Sequence, residues 1–486
     1  MDLALPVRSR VVMVALTLAA ALAVPFPGFA QAQRNGPLPA PLPLFPADNW
    51  WNVDVSAAPV DTNSANFIAL IDSDRPAGSG STPLHPDFGG NADDEPEIYG
   101  MPYISVPGTQ PLVPVFWTAY GDQSDDRFPG RSIGYPIPEE AKFQTKWIEG
   151  GYAGTPPGAP PDDDYVYGDR HMLIVDRDNR ILYELYRAFW NPAANRWEAD
   201  SGAIFSLDSN HRRPETWTSA DAAGLAIFPG LIRYDEVFGS DPIEHALRFT
   251  VRWTKSHVFP ASHTASTSSN ANALPMGARL RLKASKDISG FPAYIQKIFQ
   301  AMKTYGLIVA DNGSDMYIQG AHDTRWDNGE LNPAFRSLKA SDFEVIQLGW
   351  KPTFPAPAGP LDFYTLSPCR LLDTRQAYGP AGGPALPPVI PRVLVAAGRC
   401  GIPANAKALA VNLTVVSPAS GGFVRLYSGN ADPGTTSTIN FPAGQGRSNN
   451  AVVPLASSGS GTLSLQSSSN GGHLVHVVLD VMGYFL

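Results

Sequence analysis

Arg170-His-Met-Leu-Ile-Val-Asp176 and Ile181-Leu-Tyr-Glu-Leu-Tyr186 are the two runs whose reading decides the fold. Both are apolar and rich in β-branched or aromatic residues, and Asp178-Asn179 between them is a turn pair, so the stretch predicts a β-hairpin. Downstream, Trp190 and Trp197 flank Asn191-Pro-Ala-Ala-Asn195, a second turn that sets the two indoles facing each other. Glu244–Trp253 and Gly277–Ala284 are further strand candidates. One helix is expected from Phe291, with apolar residues at Ile295, Ile298, Phe299, Met302 and Tyr305 and Gly306 at the stop position. A shorter helix is expected near Ser64, carrying Phe67, Leu70 and Ile71. The chain holds 44 glycines and 47 prolines among 486 residues. That density of turn residues favours short strands over long helices.

The predicted class is therefore mainly all-β. A large β-sandwich or jelly-roll-like N-terminal domain with a few helices is followed by a smaller antiparallel β-sandwich. Hydrophobic residues make up 43% of the chain and charged ones 17%, enough to build cores and exclude wholesale disorder. The net charge of -9 argues against a nucleic-acid partner.

Residues 1–32 read as a secretory signal peptide. Arg8 and Arg10 precede an apolar run from Val11 to Val24, and Ala30-Gln31-Ala32 has the spacing of a cleavage site. The run is too short for a comfortable membrane span, and none is expected in the mature protein. Residues 33–46 hold Pro37, Pro39, Pro41, Pro43 and Pro46 and predict an extended leader rather than a packed element. The main domain is placed at 47–350, a proline-rich linker at 351–361 and the accessory sandwich at 362–486. In the last, Leu409, Val411, Leu413 and Val415 alternate with small or polar residues, as Val475, Val477, Leu479 and Val481 do. Cys369 and Cys400 are the only two cysteines. In an exported protein they read as a disulfide.

The C-terminal segment resembles a module often carried at the C-terminus of secreted bacterial proteins, through Arg370-Leu-Leu-Asp-Thr-Arg375, Ala410-Val-Asn-Leu-Thr414 and Asp480-Val-Met-Gly-Tyr-Phe485. The resemblance implies an accessory β domain. The main domain resembles a second family of secreted bacterial proteins, through Gly168-Asp-Arg-His171, Leu182-Tyr-Glu-Leu185, Thr218-Ser-Ala-Asp-Ala-Ala-Gly-Leu225, Pro229-Gly-Leu-Ile-Arg-Tyr-Asp-Glu236, His245-Ala-Leu-Arg-Phe249 and Ala310-Asp-Asn-Gly313. This resemblance marks one unit and supplies no mechanism.

Dinucleotide, Walker and His-Glu-x-x-His signatures are absent. Gly130-Arg-Ser-Ile-Gly134 matches a nucleophile elbow only in spelling, because Pro136 and Pro138 follow where a helix would have to start. What remains is a β protein rich in aromatics, with carboxylates and basic strand faces, a profile suited to a polysaccharide substrate or ligand. Alternation puts Glu184 on one face with Leu182 and Tyr186, where an apolar setting raises a carboxyl pKa. Asp221, Glu236 and Asp311 are further acids, and His171 stands at a strand start. The rival reading of each acid is a structural partner for a nearby arginine. His245 shares an apolar strand face and reads as a core histidine. His257 and His263 lack a third metal ligand in pattern.

Arg248, Thr250 and Arg252 face one way, as do Arg279, Arg281 and Lys283. If the two strands are neighbours, these side chains make a basic stripe for uronate carboxylates. No organic cofactor is expected, and calcium is a candidate at the acidic runs Asp122–Asp126 and Asp162–Asp164. Three functions follow in order. The first is a secreted glycoside hydrolase using Glu184, Asp221 and Glu236. The second is a polyuronate lyase, with Arg248 or Arg279 neutralising the substrate and Tyr234 or His171 as base. The third is a non-catalytic glycan-binding or surface protein.

Overall fold

In the computed structural model the hairpin forms as its turn chemistry dictates. Strands Met172–Asp176 and Ile181–Tyr186 pair antiparallel with Asp176 opposite Ile181. The Asp176 carboxylate accepts from the Asn179 backbone N–H at 3.0 Å and from Asn179 Nδ2 at 2.7 Å, which closes the turn. The structure describes residues 31–486 except 74, 77, 91–98, 130, 156–167, 353–358, 430 and 432. The expected signal peptide thus lies almost wholly outside the described residues. So do Asp162–Asp164, Gly130 and most of the linker.

The hairpin is the centre of a five-stranded sheet ordered Gln33–Arg34, Tyr103–Val106, Met172–Asp176, Ile181–Tyr186, Ser201–Ser206. Its strands are covered on both faces, which is why they read as nearly continuous apolar runs. Leu173, Val175, Leu182 and Phe205 enter the main core, while Met172, Ile174, Tyr183 and Leu185 enter a second one with Tyr135, Trp147 and Trp197. On that second side Trp190 pairs opposite Trp197, with ring centroids 5.7 Å apart.

A six-stranded sheet supplies the other half of the main core. Its order is Phe343–Val345, Arg279–Leu282, Leu307–Asn312, Leu247–Val251, Tyr317–Gln319, His85–Asp87. Leu247–Val251 runs parallel to Leu307–Asn312, and His85–Asp87 parallel to Tyr317–Gln319, so the sheet is mixed rather than antiparallel. Parallel neighbours need a long connection, and the chain between the first two includes the helix Ala293–Thr304. That helix buries Ile295, Ile298, Phe299 and Met302. Gly306 ends it at φ +75°, where a Cβ would stand 2.3 Å from the Leu280 carbonyl oxygen, so only glycine fits. The helix Ser64–Asp72 buries Phe67, Ile68 and Ile71, with Ile68 taking the inward place expected of Leu70.

The proline-rich leader is packed, contrary to the expectation of a free extended segment. Leu44 and Phe45 are buried in the main core, and Arg180 donates to the carbonyls of Ala40 and Leu44 at 2.7 and 3.0 Å. Proline frequency reports the absence of helix and of internal ladder bonds, and those are compatible with a strap held by side chains.

The accessory domain is a sandwich of two four-stranded antiparallel sheets closed over Leu409, Val411, Leu413, Val415, Val477, Leu479 and Val481. Cys369, on the Phe363–Asp373 strand of one sheet, is bonded to Cys400, which follows the Arg392–Val395 strand of the other. The Val393 N–H donates to the Asp208 carbonyl of the main domain at 2.6 Å, so the two domains touch. Strand takes 34% of the residues and helix 12%, which makes the class all-β with several sheets and few helices. Among the described residues no helix is long and apolar enough to cross a membrane.

Candidate active site

The segment 218–228 joins the two sheets. Gly224, at φ +72°, folds it back on itself, with Ser262 Oγ and the Trp217 carbonyl where a Cβ would point. From the five-stranded sheet, the Glu184 carboxylate accepts from the backbone N–H groups of Ile227 and Phe228 at 2.9–3.0 Å. His171 Nε2 lies 3.1 Å from the Ala220 carbonyl oxygen. From the six-stranded sheet, Arg248 Nη2 donates to Asp221 Oδ1. Three of these anchors, His171, Asp221 and Arg248, thus meet on one short segment with Glu184, all four buried.

Strand register fixes what stands beside Arg248. A bulge between Phe249 and Thr250 sets Asp311 opposite Thr250, on the Arg248 side of the sheet. Phe249 pairs with Ile318 and Gln319 with Asp87, which brings Gln319 and Asp87 to the same side on the next two strands. Asp87 and Asp311 are partly exposed, and they rim the buried floor. Glu149, 24% exposed, completes the rim from the loop before the hairpin, its Oε2 2.6 Å from His171 Nδ1.

The two nitrogens of His171 both face acceptors, so the ring is held as the doubly protonated cation. Burial alone would lower its pKa, but Glu149 outweighs burial and raises it to about 9. Burial would likewise raise Glu149, and His171 reverses that, leaving it below the usual carboxylate range. Asp87 goes the other way. Burial and then the Glu149 charge push it up to about 6. Asp311 rises to about 7 through burial, with Asp221 adding to it. Glu184 also rises to about 7 through burial, which its two backbone donors offset only in part. Asp221 is raised by burial despite Arg248. Asp221 Oδ2 and the Nε and Nη1 of Arg248 have no hydrogen-bond partner among the described residues.

The remaining sequence candidates lie elsewhere. Glu236 and Tyr234, on the short helix Tyr234–Phe238, line a separate hollow of about 630 Å³ with Tyr103, Arg233, His245 and Asp323. Glu236 is bonded to the Arg233 guanidinium and faces His245 Nε2 at 3.1 Å, and these charges outweigh burial and lower its pKa. Tyr234 stacks on Phe238 at 4.3 Å, with the Arg325 guanidinium 4.0 Å from its ring.

The basic stripe does not form, because Leu307–Asn312 lies between the two arginine-bearing strands. Arg248 is sealed against Asp221. Arg279 donates to the carbonyls of Tyr305 and Val53, and Arg281 to Glu344 and the carbonyls of Val55, Ser56 and Ala58. Alternation gave the direction of these side chains but could not reveal what lay under them. His245 is buried, as read. His257 faces Thr264 and Glu215, and His263 the Ala222 carbonyl. In the first acidic run, Asp125 accepts from Arg213 and the Ile204 N–H, and Asp126 from Trp117 Nε1. Among the described residues no group of three or more His, Cys, Asp or Glu is placed to hold a metal ion.

Asp87 and Glu149 escaped the sequence reading. Asp87 lies on the three-residue strand His85-Pro-Asp87, too short to show a period, and Glu149 lies on a loop. No family model matches the chain, and no curated protein matches it.

Proposed function

We propose that the chain is a secreted glycoside hydrolase acting on a polysaccharide, with Asp87 and Glu149 as its acid and base. The observation that carries this reading is the divergence of two neighbouring, partly exposed carboxyls. Asp87 is pushed up to about 6 while Glu149 is depressed by His171. Near pH 5–6, Asp87 retains a proton for a leaving-group oxygen while Glu149 is ionised and available to a water or to the anomeric carbon. Separating the pKa values of two carboxyls is the physical requirement of acid–base hydrolysis of a glycosidic bond. His171 acts as a positioning residue that keeps Glu149 ionised. Glu184 fastens the 218–228 segment, and Asp221, Arg248 and Asp311 set the field behind the pair.

The lyase reading has less support, since Arg248, the arginine whose charge acts on both carboxyls, is 0% exposed and bonded to Asp221. Secretion is part of the proposal. It rests on the signal-like residues 1–32 and on the disulfide, which suits an oxidising compartment. The test is a panel of neutral glucans, xylans, arabinans and polyuronides, assayed with residues 33–486 for reducing ends and for unsaturated products. Asp87→Asn and Glu149→Gln should each lower turnover by about 10²–10⁴-fold. Full activity in both variants removes the assignment, and unsaturated products replace it with the lyase.

A further inference from the structure

A second site lies where the domains meet. A cavity of about 420 Å³ is walled on the main-domain side by Trp50, Phe259, Arg279 and Trp350, and on the sandwich side by Tyr427 and Gln466, with Lys351 at the entry to the linker. Trp50, Phe259 and Trp350 are all half-buried, and Trp50 meets Phe259 edge to face at 6.0 Å. Half-buried aromatic faces on a cavity are platforms for the apolar side of a sugar ring.

The charge of the cavity is unusual for a chain of net charge -9. Arg212, Arg279 and Lys351 line it, against Asp48 as the one acidic lining residue among the described residues. Arg212 is already paired with Glu215. Arg279 is not paired. It is 8% exposed, its Nε and Nη2 donate to neutral carbonyls, and no carboxylate lies within ion-pair distance among the described residues. Burial, which the more distant Asp54 charge offsets only in part, lowers its pKa to about 9. Its Nη1 makes no hydrogen bond among the described residues. Lys351 is exposed, with its ammonium 4.2 Å from the Phe259 ring and no acidic partner among the described residues. A buried guanidinium lacking an anion is costly unless something supplies one.

We infer that this interdomain cleft is a subsite for an acidic sugar, a hexuronate unit whose carboxylate is received by Arg279 Nη1 and Lys351 while its ring lies against the aromatic wall. The accessory sandwich then takes part in recognition, by closing the cleft with Tyr427 and Gln466. This deepens the hydrolase reading by naming the substrate class, and it shares with it only the premise that the ligand is a saccharide.

The test is a titration of residues 33–486 with galacturonate trimer, followed by tryptophan fluorescence, beside a neutral glucose trimer and sodium sulfate at matched ionic strength. Expected is saturable quenching by the acidic trimer alone, at least tenfold weaker in Arg279→Gln and in Lys351→Ala and weaker as salt rises. Lys351, being exposed, keeps the test decisive if Arg279→Gln fails to fold. Equal affinity for the neutral trimer overturns the inference, as does wild-type affinity in Lys351→Ala together with any folded Arg279→Gln. Sulfate saturating the same signal at the same affinity would make the cleft a bare anion site and also overturns it. Cleavage without quenching would remove the cleft subsite and leave the hydrolase, and quenching without cleavage would do the reverse.

Discussion

Asp221 and Arg248 meet in complete burial, their side chains 1% and 0% exposed, and tie the 218–228 segment to the six-stranded sheet. Removing one member strands the other charge in the interior, which typically costs about 3–5 kcal/mol, whereas removing both leaves only a packing defect. Arg248→Met should therefore destabilise the main domain by about 3–5 kcal/mol in urea unfolding, and the double variant Arg248→Met/Asp221→Asn by clearly less. Equal losses would show that the pair acts through packing rather than charge.

The stability contributed by Asp311, Glu184 and His171 should fall as pH rises from about 4 to 9. Asp311 and Glu184 have folded pKa values near 7 against ordinary values of 3.8 and 4.5, so the folded chain holds their protons more tightly. Their contribution is full below those ordinary values and is lost as pH rises through about 7. His171, raised from 6.5 to about 9, contributes fully below 6.5 and loses its share as pH rises through about 9. Asp311→Asn should flatten the decline in melting temperature between about pH 4 and 7. An unchanged slope in that variant would place the titrating group elsewhere.

The same charges shape the rate profile. With Asp87 near 6, kcat/KM should fall about tenfold per pH unit above that value. His171→Gln removes the cation that depresses Glu149, so the acidic limb of the profile should move to higher pH. A purely structural histidine would lower the rate at every pH and leave the limb in place.

Much of this architecture was legible in the sequence. The Asp178-Asn179 turn, the facing Trp190 and Trp197, the helix ending at Gly306 and the alternating strands of the sandwich each rest on local chemistry, which sequence displays. The site was legible only in part. His171, Glu184, Asp221 and Arg248 stood out because strong strand patterns carried them or because they sat in distinctive phrases. Their meeting on the 218–228 segment depends on contacts between distant residues, which no period encodes. Asp87 joins through a parallel pairing with Tyr317–Gln319, far away in the chain, and Glu149 through a loop. Glu236 looked equivalent to Asp221 in sequence, but its partners Arg233 and His245 hold it in a different hollow.

The disulfide belongs to the sandwich alone. Cys369 and Cys400 are 31 residues apart, and in the chain-entropy model a loop of that length contributes about 3–4 kcal/mol. Cys369→Ser/Cys400→Ser should lower the stability of the sandwich by about that amount and leave the pH–rate profile unmoved. A shifted profile would mean that the sandwich reaches the Asp87–Glu149 site.

The most direct measurement is the product assay on the polysaccharide panel, run with the wild type, Asp87→Asn and Glu149→Gln side by side at pH 5.5. New reducing ends without unsaturation are expected from the wild type, with a loss of about 10²–10⁴-fold in each variant. Asp87→Asn should melt close to the wild type, and Glu149→Gln lower, because it leaves the buried His171 cation without its carboxylate. Wild-type turnover in both folded variants, or a polymer left intact by the wild type across the whole panel, would contradict the proposal.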